Sequence, residues 1–263
     1  MNIEPPAMAP ALPSRPPAAL TIAALQAQLR TGQARSKGTT ARPPVPLGLA
    51  AIDRTLPWGG LPRGCLHEIL AADASAAAAA FAAVLLARFA GRGGHVLWCR
   101  RRRGLYAPGL AGMGLDPARL LMVHVEREAD VLCVMEDALR CSALAAVLGE
   151  TTALAPIGLR RLQLAAEASG GTALLLRPGT AAAAAAWAVT RWQVGAVPGI
   201  ADAPGIRSRW RLELLRCRSG PAGAWVVEWC DETDRLALAA ELRHRPPAPA
   251  AWHPGRQPSA RAG

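Results

Sequence analysis

Residues 59–89 have the sequence GGLPRGCLHEILAADASAAAAAFAAVLLARF, and this stretch decides the fold. Gly64 to Leu70 is a short apolar run, which is typical of a buried β-strand. Ala76 to Phe89 predicts a buried helix, because its large apolar residues recur at three- and four-residue intervals: Phe81, Val84, Leu85 and Phe89. A strand that leads directly into a helix is the start of an alternating α/β pattern.

The alternation continues for the next hundred residues. Strands are predicted at Val96–Cys99, Arg119–Val125, Ala143–Leu148 and Thr172–Leu176, and helices at Ala107–Met113, Glu128–Arg140 and Leu159–Ser169. Strands that alternate with helices of about a dozen residues favour a mostly parallel central sheet with helices on both faces. We therefore assign the chain to the α/β class.

The last third has a different pattern. Three extended segments, Trp187–Val194, Arg209–Cys217 and Ala224–Cys230, are joined by loops that contain glycine and proline. Trp210, Leu212 and Leu214 alternate with charged neighbours, a period of two that is typical of a half-buried strand. This pattern predicts antiparallel strands added at the C-terminal edge of the sheet.

Composition divides the chain into four regions. We predict a disordered proline-rich leader at 1–17, a short helix plus linker at 18–45, one domain at 46–243 and a disordered Pro/Arg-rich tail at 244–263. The helix Ala18–Arg30 is amphipathic and follows a flexible leader. It serves either as a docking element for a partner or as a helix that packs on its own domain, and the sequence favours neither.

The chain is strongly basic, with 263 residues, a formal net charge of +11 and a sequence pI of about 10.9. Such a charge favours DNA as a partner, although an arginine-rich coding bias accounts for it equally well. Lys37 is the only lysine. The cysteines and histidines are scattered without metal-ligand spacing, so we expect no metal site and no catalytic triad. No targeting or membrane-spanning segment is evident, and we expect a cytoplasmic protein.

The stretch Pro46–Glu68 resembles the entry to the RecA ATPase core, in which a G-x-x-x-L-D…GGLPRG sequence precedes the phosphate loop. The matching positions are Gly48, Ile52, Asp53, Gly59 to Gly64 and Glu68. The resemblance implies a RecA-like α/β domain. It covers roughly Pro46 to Leu242 and is most specific at its N-terminal end.

The phosphate loop itself is absent. A loop of the form G-x-x-x-x-G-K-[ST] surrounds phosphates with backbone amides, a lysine and a Mg²⁺-binding hydroxyl. Where the resemblance places that loop, the chain has the following residues: Ala71, Ala72, Asp73, Ala74, Ser75, Ala76, Ala77 and Ala78. The catalytic glutamate position falls in Arg100–Arg103, and the Mg²⁺-associated aspartate position falls at Gly149–Glu150. We therefore expect a pseudo-ATPase with no catalytic residues and no cofactor.

Four further segments extend the resemblance: LWCRRRRGLYAPGL at 97–110, RRLQLAAEASG at 160–170, RWRLELLRCRSG at 209–220 and WVVEWCD at 225–231. With these segments the chain resembles the ImuA family of damage-inducible mutagenesis proteins. The resemblance implies an accessory role in error-prone translesion DNA synthesis during the SOS response. The implied partners are an ImuB-like Y-family polymerase homologue, an error-prone C-family polymerase and RecA.

Two other classes remain open. The first is the class of SulA-like cell-division inhibitors, which bind the tubulin-like division protein. The family shares the degenerate RecA-like core that this chain resembles. A residual ATPase would need a nucleotide site built from arginines.

Two groups of arginines are the candidate DNA- or partner-binding residues. Arg100, Arg101, Arg102 and Arg103 directly follow a predicted strand, at the sheet edge where parallel α/β proteins bind ligands. Arg216 and Arg218 match the positions where RecA carries lysines that reach a neighbouring subunit. The sequence slightly favours the simpler interpretation, an exposed strand face on which Cys217 points inward. The tryptophans of the last third, Trp187, Trp192, Trp210, Trp225 and Trp229, are more typical of core packing than of base stacking.

Overall fold

The computed structural model describes residues 42–101, 105–152, 156–179, 187–198, 208–230, 233 and 235–242. The predicted leader, the helix Ala18–Arg30 and the tail 244–263 lie outside these ranges. No helix in the described part of the chain is long and apolar enough to cross a membrane.

A nine-stranded sheet forms the centre of the molecule. Its strands are β1 (Leu66–Ala71), β2 (His95–Arg100), β3 (Leu120–His124), β4 (Leu144–Glu150), β5 (Thr172–Pro178), β6 (Thr190–Val197), β7 (Ser208–Cys217), β8 (Gly223–Cys230) and β9 (Arg235–Leu242). Their spatial order is β3-β2-β4-β5-β1-β6-β7-β8-β9. The first six strands in that order form five parallel pairs, and the remaining three pairs are antiparallel. The α/β class with an antiparallel C-terminal edge is confirmed.

Two details of the strands differ from the sequence-based prediction. β6 begins at Thr190 and is parallel to β1, so it belongs to the parallel part of the sheet as well as pairing antiparallel with β7. β9 was not predicted, because its alanines and leucines have no clear period of two.

Five helices connect or flank the strands: α1 (Ala50–Asp53), α2 (Ala77–Ala90), α3 (Ala107–Ala111), α4 (Glu128–Leu139) and α5 (Pro156–Ser169), with a 3₁₀ turn at Pro117–Arg119. α2 packs on one face of the sheet, where Phe81 and Leu85 contact a core that includes Trp192. α4 and α5 pack on the other face, through residues such as Met135 and Leu162. The predicted helices on both faces are confirmed.

The GGLPRG motif joins the N-terminal segment to the sheet. Val45 and Leu61 exchange two backbone hydrogen bonds of 2.8 Å each. A Cβ at Gly60 would lie 2.7 Å from the backbone of Val45, so this close approach requires glycine. Asp53 accepts hydrogen bonds from the amides of Leu47 (2.7 Å) and Gly48 (3.0 Å). The motif positions that resemble RecA therefore have a structural role in this chain.

Candidate functional site

A cleft of about 520 Å³ opens at the carboxyl ends of the parallel strands. In open parallel α/β sheets, ligands bind at this edge. The walls of the cleft come from the end of β1, the start of α2 and the ends of β2, β4 and β5. The polar and charged residues that line it are Ser75, Arg100, Arg101, Glu128, Glu150, Thr151, Thr152 and Arg177.

The loop between β1 and α2, residues Ala72–Ala76, closes on itself through side chains. Asp73 Oδ1 accepts a hydrogen bond from the amide of Ser75 (2.8 Å), and Ser75 Oγ accepts one from the amide of Ala77 (3.2 Å). Ala77 and Ala78, at the positions expected for the lysine and the hydroxyl, are buried in the first turn of α2. The amides that would face a phosphate are therefore partly engaged within the loop.

Asp73 also ties this loop to β6. Its Oδ2 accepts a hydrogen bond from the amide of Ala196 (3.0 Å). A Cβ at Gly195 would lie 3.1 Å from the same oxygen, so a larger residue at position 195 would crowd the Asp73 carboxylate. The hydroxyl and amide of Ser75 and the amide of Ala196 lower the pKa of Asp73, so the carboxylate is charged at neutral pH.

Arg100 is not a free surface cation. Its guanidinium lies 3.3 Å from the carboxylate of Glu150, and its side chain is only 13% exposed. The other oxygen of Glu150 accepts a hydrogen bond from the indole of Trp98 (2.7 Å). Glu150, at the position where the resemblance places a Mg²⁺-associated aspartate, thus holds the end of β2 against the end of β4.

Glu128, at the start of α4, holds the chain that follows β4. Its carboxylate accepts hydrogen bonds from the hydroxyls of Thr151 and Thr152, each at 2.6 Å, and from the amide of Thr152. A carboxylate with several donors is oriented and electrostatically satisfied. Sequence reasoning missed this cluster, because a glutamate in a first helical turn is ordinary.

A buried charged triad lies beneath the cleft. Glu68, in the middle of β1, is fully buried and contacts Arg177 of β5 (2.7 Å) and Arg191 of β6 (3.2 Å). The side chain of Arg177 is only 3% exposed. The signal available in the sequence was a charge inside each of two apolar runs, CLHEIL and ALLLRP.

The structure places the two predicted arginine groups at opposite ends of the parallel strands, one at the carboxyl edge of the sheet and the other at its amino edge. Arg101 is exposed and lines the cleft, while Arg102 and Arg103 lie outside the described residues. Arg216 pairs in register with Arg191 near the start of β6, and the amide of Arg218 donates to the carbonyl of Val189. Both therefore lie at the amino ends of the parallel strands. Both are exposed, whereas Cys217 between them is half-buried against the core.

The aromatic cluster is a core, as the sequence analysis favoured. Trp192, Trp210, Trp225 and Trp229 are 0–3% exposed and pack around Phe81 and each other. Trp187 is half-buried, with the guanidinium of Arg160 over its ring at 5.1 Å.

The described residues contain no cluster of three or more potential metal ligands. All six cysteines are unpaired; Cys65, Cys99 and Cys141 are buried, Cys217 and Cys230 are half-buried, and Cys133 is exposed. Burial raises the pKa of both Cys65 and Cys99 to about 12, which leaves their thiols protonated.

These features define the class: a mostly parallel α/β protein with a charged cleft at its carboxyl edge and a β1–α2 loop closed by its own aspartate. No family model matches the chain. It is similar to Protein ImuA of Caulobacter vibrioides from two strains, NA1000 / CB15N and ATCC 19089 / CIP 103742 / CB 15. In each case the identity is 36% over 208 residues, which covers 72% of this chain and 84% of the relative. The chain belongs to the ImuA family.

Proposed function

We propose that this protein is a non-catalytic accessory factor of damage-induced, error-prone DNA synthesis. In this proposal it acts by binding partner proteins, and it neither binds nor hydrolyses ATP. Membership of the ImuA family supports a role in damage-inducible mutagenesis. The proposed partners are an ImuB-like Y-family polymerase homologue, an error-prone C-family polymerase and RecA.

The β1–α2 loop carries the proposal. Phosphate binding at such a junction needs unengaged amides and positive charge. Here the Asp73 carboxylate accepts hydrogen bonds from the amides of Ser75 and Ala196. Ser75 Oγ accepts one from the amide of Ala77. A carboxylate fixed at this point repels a phosphate. The sole lysine, Lys37, precedes the sheet by almost thirty residues and is not part of the loop.

The rim of the cleft supplies a feature suited to a protein partner. Arg101 is exposed and makes no ion pair within the described part of the chain. Arg100 beside it is held by Glu150, so the backbone that carries Arg101 is anchored. An anchored guanidinium at a cleft rim suits an acidic side chain of a partner.

Nucleotide binding is tested with a fluorescent ATP analogue and Mg²⁺. We expect no saturable binding up to about 1 mM, the upper end of ordinary substrate affinities. Saturation in the micromolar range together with phosphate release would contradict the pseudo-ATPase proposal and favour the residual-ATPase alternative.

Partner binding is tested by co-expression and capture with the Y-family-like protein of the same genome, with RecA and with the tubulin-like division protein in parallel lanes. We expect capture of the Y-family-like protein, and we expect Arg101→Glu to reduce it. Arg211→Glu, at an exposed arginine of β7 outside the cleft, is the charge-matched control. Capture of the division protein alone would replace the proposal with the SulA-like alternative.

A further inference from the structure

A second pocket lies at the amino ends of the parallel strands, on the sheet edge opposite the cleft. Its volume is about 440 Å³. One wall is the turn between α2 and β2, which includes Gly93 and Gly94. Another is the turn before β4, which includes Ser142. Arg42 and Arg63 supply its charged groups.

The two guanidiniums share this pocket without a carboxylate. Neither Arg42 nor Arg63 makes an ion pair with any residue in the ranges that the structure describes. Arg63 lies over the ring of Phe89 at 5.5 Å and donates to the Phe89 carbonyl at 3.0 Å, so its position is fixed. Burial, with a further contribution from the charge of Arg42, lowers the pKa of Arg63. A bound anion would reduce the repulsion between Arg42 and Arg63 and would supply their missing counter-charge.

Several other charged groups at this edge are engaged. Arg119 and Arg140, which precede β3 and β4, each pair with an aspartate three residues away, Asp116 and Asp137. Glu167 accepts a hydrogen bond from Gln163 at 2.6 Å. Arg92, in the turn that forms the pocket wall, is exposed and has no ion pair in the described ranges. The edge therefore carries a surplus of positive charge around the pocket.

The sequence that precedes and follows the described sheet is also basic. From Pro5 to Ile52 there is no aspartate or glutamate, while the basic residues are Arg15, Arg30, Arg35, Lys37 and Arg42. After Glu241 there is again no carboxylate side chain, and the basic residues are Arg243, Arg245, Arg256 and Arg261. The first segment enters the described structure at Arg42, beside the pocket. The second leaves from Leu242, which pairs with Ala224 at the start of β8 and so lies at this edge as well.

We infer that the amino edge of the sheet binds the phosphodiester backbone of nucleic acid, with the Arg42–Arg63 pocket holding one phosphate. An extended polyanion fits better than an acidic protein surface for two reasons. Arg42, Arg63 and Arg92 lie around the pocket without an ion pair in the described ranges, and the sequence before and after the sheet adds basic residues without carboxylates. The pocket also offers arginine, glycine and serine, without the exposed large apolar side chains that form the centre of a protein interface. This inference stands on its own observations and does not depend on the proposed function.

The test is fluorescence anisotropy of the full-length chain with labelled oligothymidylate about 30 nucleotides long, at a series of salt concentrations. The main variant is Arg42→Ala with Arg92→Ala, two exposed positions whose truncation leaves the core intact. We expect about tenfold weaker binding and a salt dependence that is shallower by about 1.4 in log–log slope, as for two lost single-strand phosphate contacts. Arg63→Lys keeps the charge but loses the two-pronged guanidinium, and we expect an intermediate loss.

The charge-matched control is Arg127→Ala with Arg235→Ala, two exposed arginines at the carboxyl edge, and we expect its affinity to change less than twofold. If affinity falls equally in the test and control variants, the loss depends only on net charge and not on position, and the inference is overturned. Affinity that falls in Arg101→Ala but not in Arg42→Ala/Arg92→Ala would move nucleic-acid binding to the cleft and also overturn it. Full oligothymidylate affinity in Arg42→Ala/Arg92→Ala would likewise overturn the inference, whatever that variant does to partner capture, because capture tests the proposed function separately.

Discussion

Glu68 is fully buried between Arg177 and Arg191, at the centre of the sheet. Its carboxylate bridges β5 and β6 across β1, so one side chain links three strands. Burial of charge is costly, and such groups are tolerated because each finds an opposite charge nearby. The triad lies beneath the cleft and links β1 to the strands on either side of it.

Replacement of Glu68 by Gln removes the carboxylate that pairs with the buried guanidinium of Arg177. We expect the free energy of unfolding to fall by about 3–5 kcal/mol, measured by urea denaturation. Glu213→Gln, which removes the carboxylate that pairs with the exposed Arg211 on β7, is the control and is expected to cost no more than about 1 kcal/mol. Equal effects of the two variants would show that the triad contributes nothing beyond a surface pair.

His67 lies next to Glu68 but on the other face of β1, and it is also fully buried. Its Nδ1 is 2.7 Å from the hydroxyl of Thr190, and its Nε2 is 2.9 Å from the carbonyl of Pro62. Burial lowers the pKa of His67 from 6.5 to about 4, which keeps the ring neutral in the folded protein.

This shift predicts a pH-dependent stability. Because the unfolded chain binds the proton more readily, the stabilising contribution is complete above pH 6.5 and is lost as the pH falls from 6.5 towards 4. The full loss corresponds to about 3 kcal/mol. Unfolding free energies of the native chain and of His67→Gln, compared across this range, isolate the effect. A difference between the two that stays constant with pH would contradict the assignment.

At the level of elements, β4 and α4 pack closely against each other. Gly149 of β4 lies against α4: a Cβ there would be 2.2 Å from Met135 Sδ and 2.9 Å from Val131 Cγ1. Well-packed cores respond to an added methyl group with strain. Gly149 therefore lets α4 approach the sheet, and through Glu128 it positions the rim of the cleft.

Gly149→Ala tests this contact. We expect a loss of about 1–3 kcal/mol in unfolding free energy, together with weaker protection of the α4 amides in hydrogen exchange. Gly93→Ala is the control, because no atom lies within 4 Å of the added Cβ and stability is expected to change by less than about 0.5 kcal/mol. A neutral Gly149→Ala would mean that Met135 moves aside at no cost.

At the scale of the whole molecule, the carboxyl and amino ends of the parallel strands differ in charge. The carboxyl edge mixes arginines with Asp73, Glu128 and Glu150, whereas the amino edge concentrates arginines around the Arg42–Arg63 pocket. The sheet separates the two edges by the length of its strands, so surface substitutions on one edge should not affect the other.

The two edges are therefore expected to act independently. Arg101→Glu should reduce capture of the protein partner and leave oligothymidylate affinity within about twofold, and Arg42→Ala/Arg92→Ala should do the reverse. Both variants are measured in both assays, with circular dichroism melts to confirm that each is folded. A folded variant that loses both activities would contradict the separation.

Local pattern determined most of the parallel core. The apolar runs of β1, β2, β4 and β5 and the three- and four-residue spacing in α2 and α4 depend only on which side chains are buried, so they were predictable. The family was also predictable, because segments such as GGLPRG and RWRLELLRCRSG resemble it. The alanines at the phosphate-loop position likewise follow from the sequence directly.

Tertiary structure alone decided which distant residues meet. Strand order β5-β1-β6 brings Glu68, Arg177 and Arg191 together across more than a hundred residues, and no local pattern encodes that order. The fold also decided that Arg100, which the sequence presented as part of a charged run, forms an ion pair with Glu150. It likewise decided that Arg101 lies far from Arg216 and Arg218. Sequence periodicity reports the burial of each residue, whereas contacts between elements depend on chain topology, so the pairings of charges became visible only in the fold.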